Sequence, residues 1–172
     1  VAYYVEGLIV DLITEGKREL VKDRHFLHRF ILEKNLLVNN ITKIMNTRVT
    51  ENFLNTAFWC KEYSWINSFI LKYSQTFADD MRESFLNYAK SCIFYGEGKY
   101  PEALKKLKLV GDAPYTMRLK MKEMEMQIFY EMKEPEHLYY SIDNYVKFKS
   151  FQFISEINRK IMESNISAFK EL

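Results

Sequence analysis

Residues 85 to 104 read FLNYAKSCIFYGEGKYPEAL. Phe85, Ala89, Cys92 and Ile93 recur three or four apart, the spacing that puts side chains on one stripe of a helix. Gly96, Glu97 and Gly98 then break the pattern with a tight turn. Ala103, Leu104, Leu107 and Val110 resume helical spacing on the far side. A helix, a turn of two or three residues and a second helix are the unit from which the rest of the chain can be read.

The same plan appears twice more. Residues 53 to 70 read FLNTAFWCKEYSWINSFI, and residues 124 to 138 read MEMQIFYEMKEPEHL. Aligning the three turns puts Tyr63, Tyr100 and Pro135 in register, at spacings of 37 and 35 residues. Stripes with helical spacing fill the remainder: Phe26, Phe30 and Ile31; Trp65, Ile66, Phe69, Ile70 and Tyr73; Met117, Met121, Met124 and Ile128; Ile142, Tyr145 and Val146; Ile154, Ile157 and Ile161. No stretch alternates with period two, so the expected fold is all-α, with about eight helices. Asp80 with Glu83 three later resembles a capping box, Thr116 fits a helix cap, and Pro135 fits a first helical turn, where its missing N–H costs nothing.

Composition points the same way. The 172 residues include only five glycines and three prolines, about 5% where an average chain has about 12%. Turn-rich sandwiches and barrels, and folds that need glycine loops for phosphate, are poorly served by so few. Hydrophobic residues make up 48%, enough for a real core. The net charge of +2 is not that of a nucleic-acid-binding chain. Cys60 and Cys92 read as two small hydrophobes of a reducing compartment, which suggests a cytoplasmic setting. The apolar start, residues 1 to 13, contains Glu6 and Asp11 and is too short to span a bilayer. Its apolar character, and a first residue that is Val, suggest part of a longer protein.

The run Tyr-Gly-Glu-Gly-Lys-Tyr-Pro-Glu-Ala-Leu, residues 95 to 104, resembles the turn and second helix of tetratricopeptide (TPR) repeats, whose period is about 34 residues. Tyr100 matches the turn aromatic, Ala103 the small residue where paired helices touch, and Pro114 the closing proline. The other copies depart from the pattern: Ile66 stands for the alanine, Pro135 for the turn aromatic, and Leu54 or Met126 for the small residue of the first helix. With the Lys-Glu-Tyr-Ser-Trp run at residues 61 to 65, the chain is also similar to uncharacterised bacterial proteins with degenerate repeats of this type. The resemblance implies a right-handed stack of antiparallel helix pairs, an α-solenoid. Residues 1–47 would form an irregular N-terminal helical layer, 48–150 three degenerate pairs, and 151–172 a capping helix. Such pairs bury their apolar faces only by stacking.

Family register also implies a partner-binding concave face, made by the first helix of each pair. It would include Asn52 and Asn55, then Tyr88 and Tyr95, then Lys120, Gln127 and Tyr130. Rings would give contact area, while the amides and Lys120 would hold a peptide backbone or carboxylate. A second candidate is a basic patch. Residues 99–122 hold seven bases and two acids, including Lys105, Lys106, Lys108, Arg118, Lys120 and Lys122. Arg118, Lys120 and Lys122 open a helix, where the dipole disfavours cations, so bases beside free N–H groups make a possible anion site.

Other constellations read more plainly. His25 and His28, three apart on a helix, have no local carboxylate or cysteine at matching spacing apart from Asp23, and read as surface or interface histidines. Glu134 and His137 form a single Glu-x-x-His across a turn, short of a di-iron set. Met117, Met121 and Met124 read as core, with Met126 and Met132 off the seam and exposed. No nucleophile elbow, phosphate loop or zinc-protease motif occurs. The expected function is therefore non-catalytic and cofactor-free: a scaffold that binds a peptide or partner protein. Alternatives are a structural or self-associating segment of a larger protein, with a homo-oligomer as one form, and anion or nucleic-acid binding through the patch.

Overall fold

The computed structural model describes residues 2–34 and 44–150, and there the chain is all-helical. Eight α-helices follow in order: α1 (Ala2–Thr14), α2 (Val21–Glu33), α3 (Thr47–Trp59), α4 (Tyr63–Tyr73), α5 (Asp79–Gly96), α6 (Tyr100–Lys108), α7 (Tyr115–Glu131) and α8 (Pro135–Ser150). Single 3₁₀ turns precede α2 and follow α4. No helix among the described residues is long and apolar enough to cross a membrane. The capping helix expected over 151–172 lies outside the described residues. The chain divides into two compact units, Val1–Met121 and Lys122–Leu172, and the division falls inside α7.

Four joints share one hydrogen-bond pattern. After α3, the amide of Lys61 donates to the carbonyl of Phe58 and that of Glu62 to Ala57. After α5, Gly98 donates to Tyr95 and Lys99 to Phe94; after α7, Lys133 donates to Tyr130 and Glu134 to Phe129. After α1, Gly16 donates to Ile13 and Lys17 to Leu12. This is the Schellman closure, which satisfies two terminal carbonyls and requires a left-handed residue just past the helix. The residues there are Gly16, Lys61, Gly98 and Lys133, with φ of 105°, 59°, 72° and 58°. Lysine is strained in that region by about 1–2 kcal/mol and glycine is not. Lys61→Gly and Lys133→Gly are each expected to stabilise the protein by about 1 kcal/mol, and Gly98→Ala to destabilise it by as much. Urea midpoints will show it. A Lys61→Gly protein weaker than the parent would mean that the lysine stem contributes more than its backbone strain costs.

An aromatic clasp repeats with the turn. Phe58 meets Tyr63 edge-on at 6.1 Å, and Tyr95 meets Tyr100 edge-on at 5.6 Å, so the end of each first helix closes on the start of its second. Phe58 also meets Tyr95 at 5.4 Å, which links one pair to the next. In the third joint Pro135 opens α8, as its lack of an N–H suits, and supplies no aromatic ring; there Phe129 stacks on His137 at 5.2 Å.

The core of the first unit is a chain of rings through four helices. His28 (α2) stacks on Phe53 (α3) at 4.2 Å, Phe53 meets Phe69 (α4) at 6.1 Å, Phe69 meets Phe77 at 5.7 Å, and Phe77 meets Phe85 (α5) at 5.7 Å. Ala57, Ala89, Cys92 and Ala103 are fully buried, and small side chains allow close approach where α3, α5 and α6 pack. Along the chain α1 packs on α2, α2 on α3, α3 on α4, α4 on α5 and α5 on α6; α3 also packs on α5. In the second unit the buried Tyr145 phenol of α8 donates to Glu123 of α7 at 3.0 Å.

Some local readings shift. α5 begins at Asp79, not at a capping box on Asp80, and Ala78 makes no side-chain cap. Asp79 and Asp80 occupy its first turn, where acids complement the dipole, while Arg82 donates to the carbonyls of Ser74 and Phe77. Met126 is buried rather than exposed, because the apolar residues of α7 occupy more than one stripe of the helix.

Candidate functional site

Glu51, Asn55 and Trp59 are four apart and form one stripe of α3; Thr116 and Lys120 are four apart on α7. The two stripes meet. The Thr116 hydroxyl donates to Glu51 Oε2 at 2.9 Å, and Lys120 Nζ lies 5.6 Å from the centre of the Trp59 ring. From α5, the Tyr88 phenol donates to Asn55 Oδ1 at 2.6 Å. Side chains of α3, α5 and the first part of α7 are thus joined in one polar row, all within the first unit. Glu51 is only 4% exposed, and burial raises its pKa above the usual carboxylate range against the opposing pull of Thr116, Lys120 and Arg48. Trp59, by contrast, is 47% exposed and Lys120 half-buried, so the indole stands at the solvent edge of the row with the ammonium beside it.

The positions read from family register distribute unevenly along it. Asn55 and Lys120 belong to the row. Asn52 is half-buried, and its backbone carbonyl accepts from Thr56. Tyr88 is 1% exposed: a phenol can be buried when its hydroxyl finds a partner, here Asn55, so it orders the row and offers no contact surface. Tyr95 is half-buried between Phe58 and Tyr100, inside the clasp. Gln127 and Tyr130, half-buried and exposed respectively, belong to the second unit. Glu51 and Trp59 are not singled out from sequence, and Thr116 is read there only as a helix cap; the spacing of Glu51, Asn55 and Trp59 was the available signal.

The basic patch resolves into separate environments. Lys105, Lys106 and Lys108 lie in the last turn of α6, where the carbonyl end favours cations. Lys120 is placed over Trp59, and Lys122 of the second unit lies over Phe148 at 5.2 Å. Arg118 is exposed on α7. Thr116 donates its hydroxyl to Glu51 rather than capping α7.

Of the two readings of His25 and His28, surface or interface, the surface one is corrected: both are buried where α2 meets neighbouring helices. His28 Nε2 lies 3.0 Å from Glu6 Oε1, and Arg24 Nη2 lies 3.1 Å from the same oxygen, so the pair of α2 residues fastens α1. A carboxylate only accepts, so the Nε2 carries the proton and Nδ1 is left with its lone pair buried, without a partner among the described residues. His25 meets Trp65 edge-on at 4.8 Å, and neither of its ring nitrogens has a partner there. Among the described residues no cluster of three or more His, Cys, Asp or Glu could hold a metal. Burial also pushes the Cys60 and Cys92 thiols up, away from the thiolate a nucleophile needs.

Burial lowers the pKa of both histidines below their ordinary 6.5, outweighing Glu62 for His25 and Glu6 for His28. The unfolded chain therefore binds more protons as pH falls below 6.5, and stability falls with it. Glu6, lowered from 4.5 chiefly by its hydrogen bond to His28, removes further stability below 4.5. Glu51, raised from 4.5, acts oppositely, since its protonation above that value relieves a buried charge. The urea midpoint is expected to fall from about pH 7 to about pH 5, and less steeply in His25→Gln. A midpoint flat over that range would contradict the assignment of neutral, buried imidazoles.

Comparison of the chain with protein-family models, curated proteins and solved structures returned no match.

Proposed function

We propose that this chain is a non-catalytic interaction module of TPR-like helix pairs, and that it holds a peptide segment of a partner protein along the row on α3, α5 and α7. Support for the repeat reading comes from the 37- and 35-residue register, the shared Schellman closures and the packing of α4 and α3 on α5. The observation that carries the function is the half-exposed Trp59 beneath Lys120, fixed at the edge of a satisfied polar row. An exposed indole gives contact area at low entropy cost, and the ammonium favours a carboxylate beside an apolar side chain. Asn52, on the same helix, adds an amide for a peptide backbone.

Selection from a random peptide library tests this. The wild-type protein should enrich a common acidic-and-apolar motif, and Trp59→Ala with Lys120→Glu should weaken the selected peptide at least tenfold, about 1.4 kcal/mol. Circular dichroism should be unchanged, since Trp59 lies at the surface. No convergent motif, or equal binding by the double variant, would refute the reading.

A second reading, self-association, is favoured by Val5, Leu8 and Leu12 on α1 and Phe26 and Phe30 on α2, which are all exposed. Light scattering that shows mass rising with concentration would support it, and a monomer at all concentrations would remove it.

A further inference from the structure

A cleft of about 160 Å³ opens between α2 and α4, on helices other than those of the polar row. Its floor is built from Leu32, Phe69 and Trp65. Trp65 stacks flat on Phe69 at 5.1 Å with an interplanar angle of 11°, and the His25 ring meets it edge-on at 4.8 Å. Phe69 meets Tyr73 at 5.5 Å, so three rings four residues apart continue along α4. This floor is set before any ligand arrives.

Volume and rim define what fits. A cavity near 150 Å³ holds a benzene-sized group, whereas sites for whole small molecules begin near 300 Å³. One aromatic or branched aliphatic side chain matches the space. Arg29 and Lys72 flank it from opposite helices, both exposed, and Glu33 on the same rim leaves a net positive charge. We infer that the α2–α4 cleft is a second docking site, which takes one bulky apolar side chain of a partner peptide with acidic residues beside it. Charge complementarity selects the acids, and the open side of the cleft lets the chain continue past the anchor.

Trp65 is one of only two tryptophans, so Trp59→Phe leaves it as a single reporter, and Lys120→Glu beside it removes the cation of the proposed α3–α7 contact. In that background the probes are four blocked tripeptides, acetylated and amidated: Glu-Phe-Glu, Gln-Phe-Gln, Lys-Phe-Lys and Glu-Ala-Glu, each titrated to about 5 mM. Glu-Phe-Glu should change Trp65 emission saturably, and the other three should bind at least tenfold more weakly. Arg29→Glu with Lys72→Glu should invert the preference toward Lys-Phe-Lys. Absence of a saturable change would overturn the proposal. So would Glu-Ala-Glu matching Glu-Phe-Glu, which would reduce the site to surface charge, or an unaltered preference in the charge-reversed protein.

Discussion

Replacing Phe69 with alanine is expected to lower the unfolding free energy by about 3–5 kcal/mol, the cost of deleting a buried phenylalanine ring. Domains of this kind are stable by only about 5–15 kcal/mol, so the variant should populate unfolded chain measurably at moderate temperature. The size follows from position. Phe69 is 2% exposed and touches Phe53, Trp65, Tyr73 and Phe77. It therefore joins α3, α4 and the approach to α5, and no neighbour on one helix can relax to fill the space alone. Leu71, two residues away on the same helix, is 76% exposed. Leu71→Ala should change stability by no more than about 0.5 kcal/mol. Urea unfolding of the two variants compares the inner and outer faces of α4 directly. Similar losses from both would show that the ring chain is not the core.

The helices and the joints between them were legible because two signals coincide there. Apolar residues keep a 3.6-residue period, and Tyr63, Tyr100 and Pro135, aligned from sequence alone, are the first residues of α4, α6 and α8. The chemistry of the turns was legible only at Gly98. Lys61 and Lys133 occupy the same left-handed position, but lysine carries no signal for it, and the surrounding helices impose the conformation. The start of α5 was misplaced by the same kind of competition: Asp79 and Asp80 sit in the first turn, and Arg82 serves the carbonyls before it.

Side chains whose environment is made by distant residues were not legible. The burial of His28 depends on Glu6, 22 residues earlier, and on the face of Phe53. Tyr88 reads as a binding ring until its hydroxyl is found on Asn55, 33 residues away. Lys120 reads as part of a basic patch until Trp59 is found beneath it. In each case the residue type allows both surface and interior, and the tertiary partner decides. The contact between Thr116 and Glu51, 65 residues apart, is the extreme of this: neither residue belongs to a motif, yet together they connect α3 with α7.

Gly96→Val should destabilise by about 1–3 kcal/mol, toward the upper end, for a reason unrelated to turn conformation. Gly96 is the last residue of α5 and has helical geometry, since only Gly98 of this joint has positive φ. A Cβ on Gly96 would run into the ring of Tyr63, the first residue of α4. The atoms met include the ring carbon nearest the root of that side chain, which cannot swing clear as the tip of a lysine could. Tyr63 is also held by Phe58, edge-on at 6.1 Å, so moving it disturbs the clasp of the preceding pair. A double-mutant cycle isolates the collision. Tyr63→Ala removes the ring, and in that background Gly96→Val should lose most of its cost, a coupling of about 1–2 kcal/mol. Gly98→Ala should cost the same in both backgrounds, because a Cβ there meets open space and only its φ is strained. Two glycines two residues apart would then be separated by mechanism, one required by a neighbour and one by its own backbone. An unchanged cost of Gly96→Val beside Tyr63→Ala would mean that the α4–α5 contact does not rest on this ring.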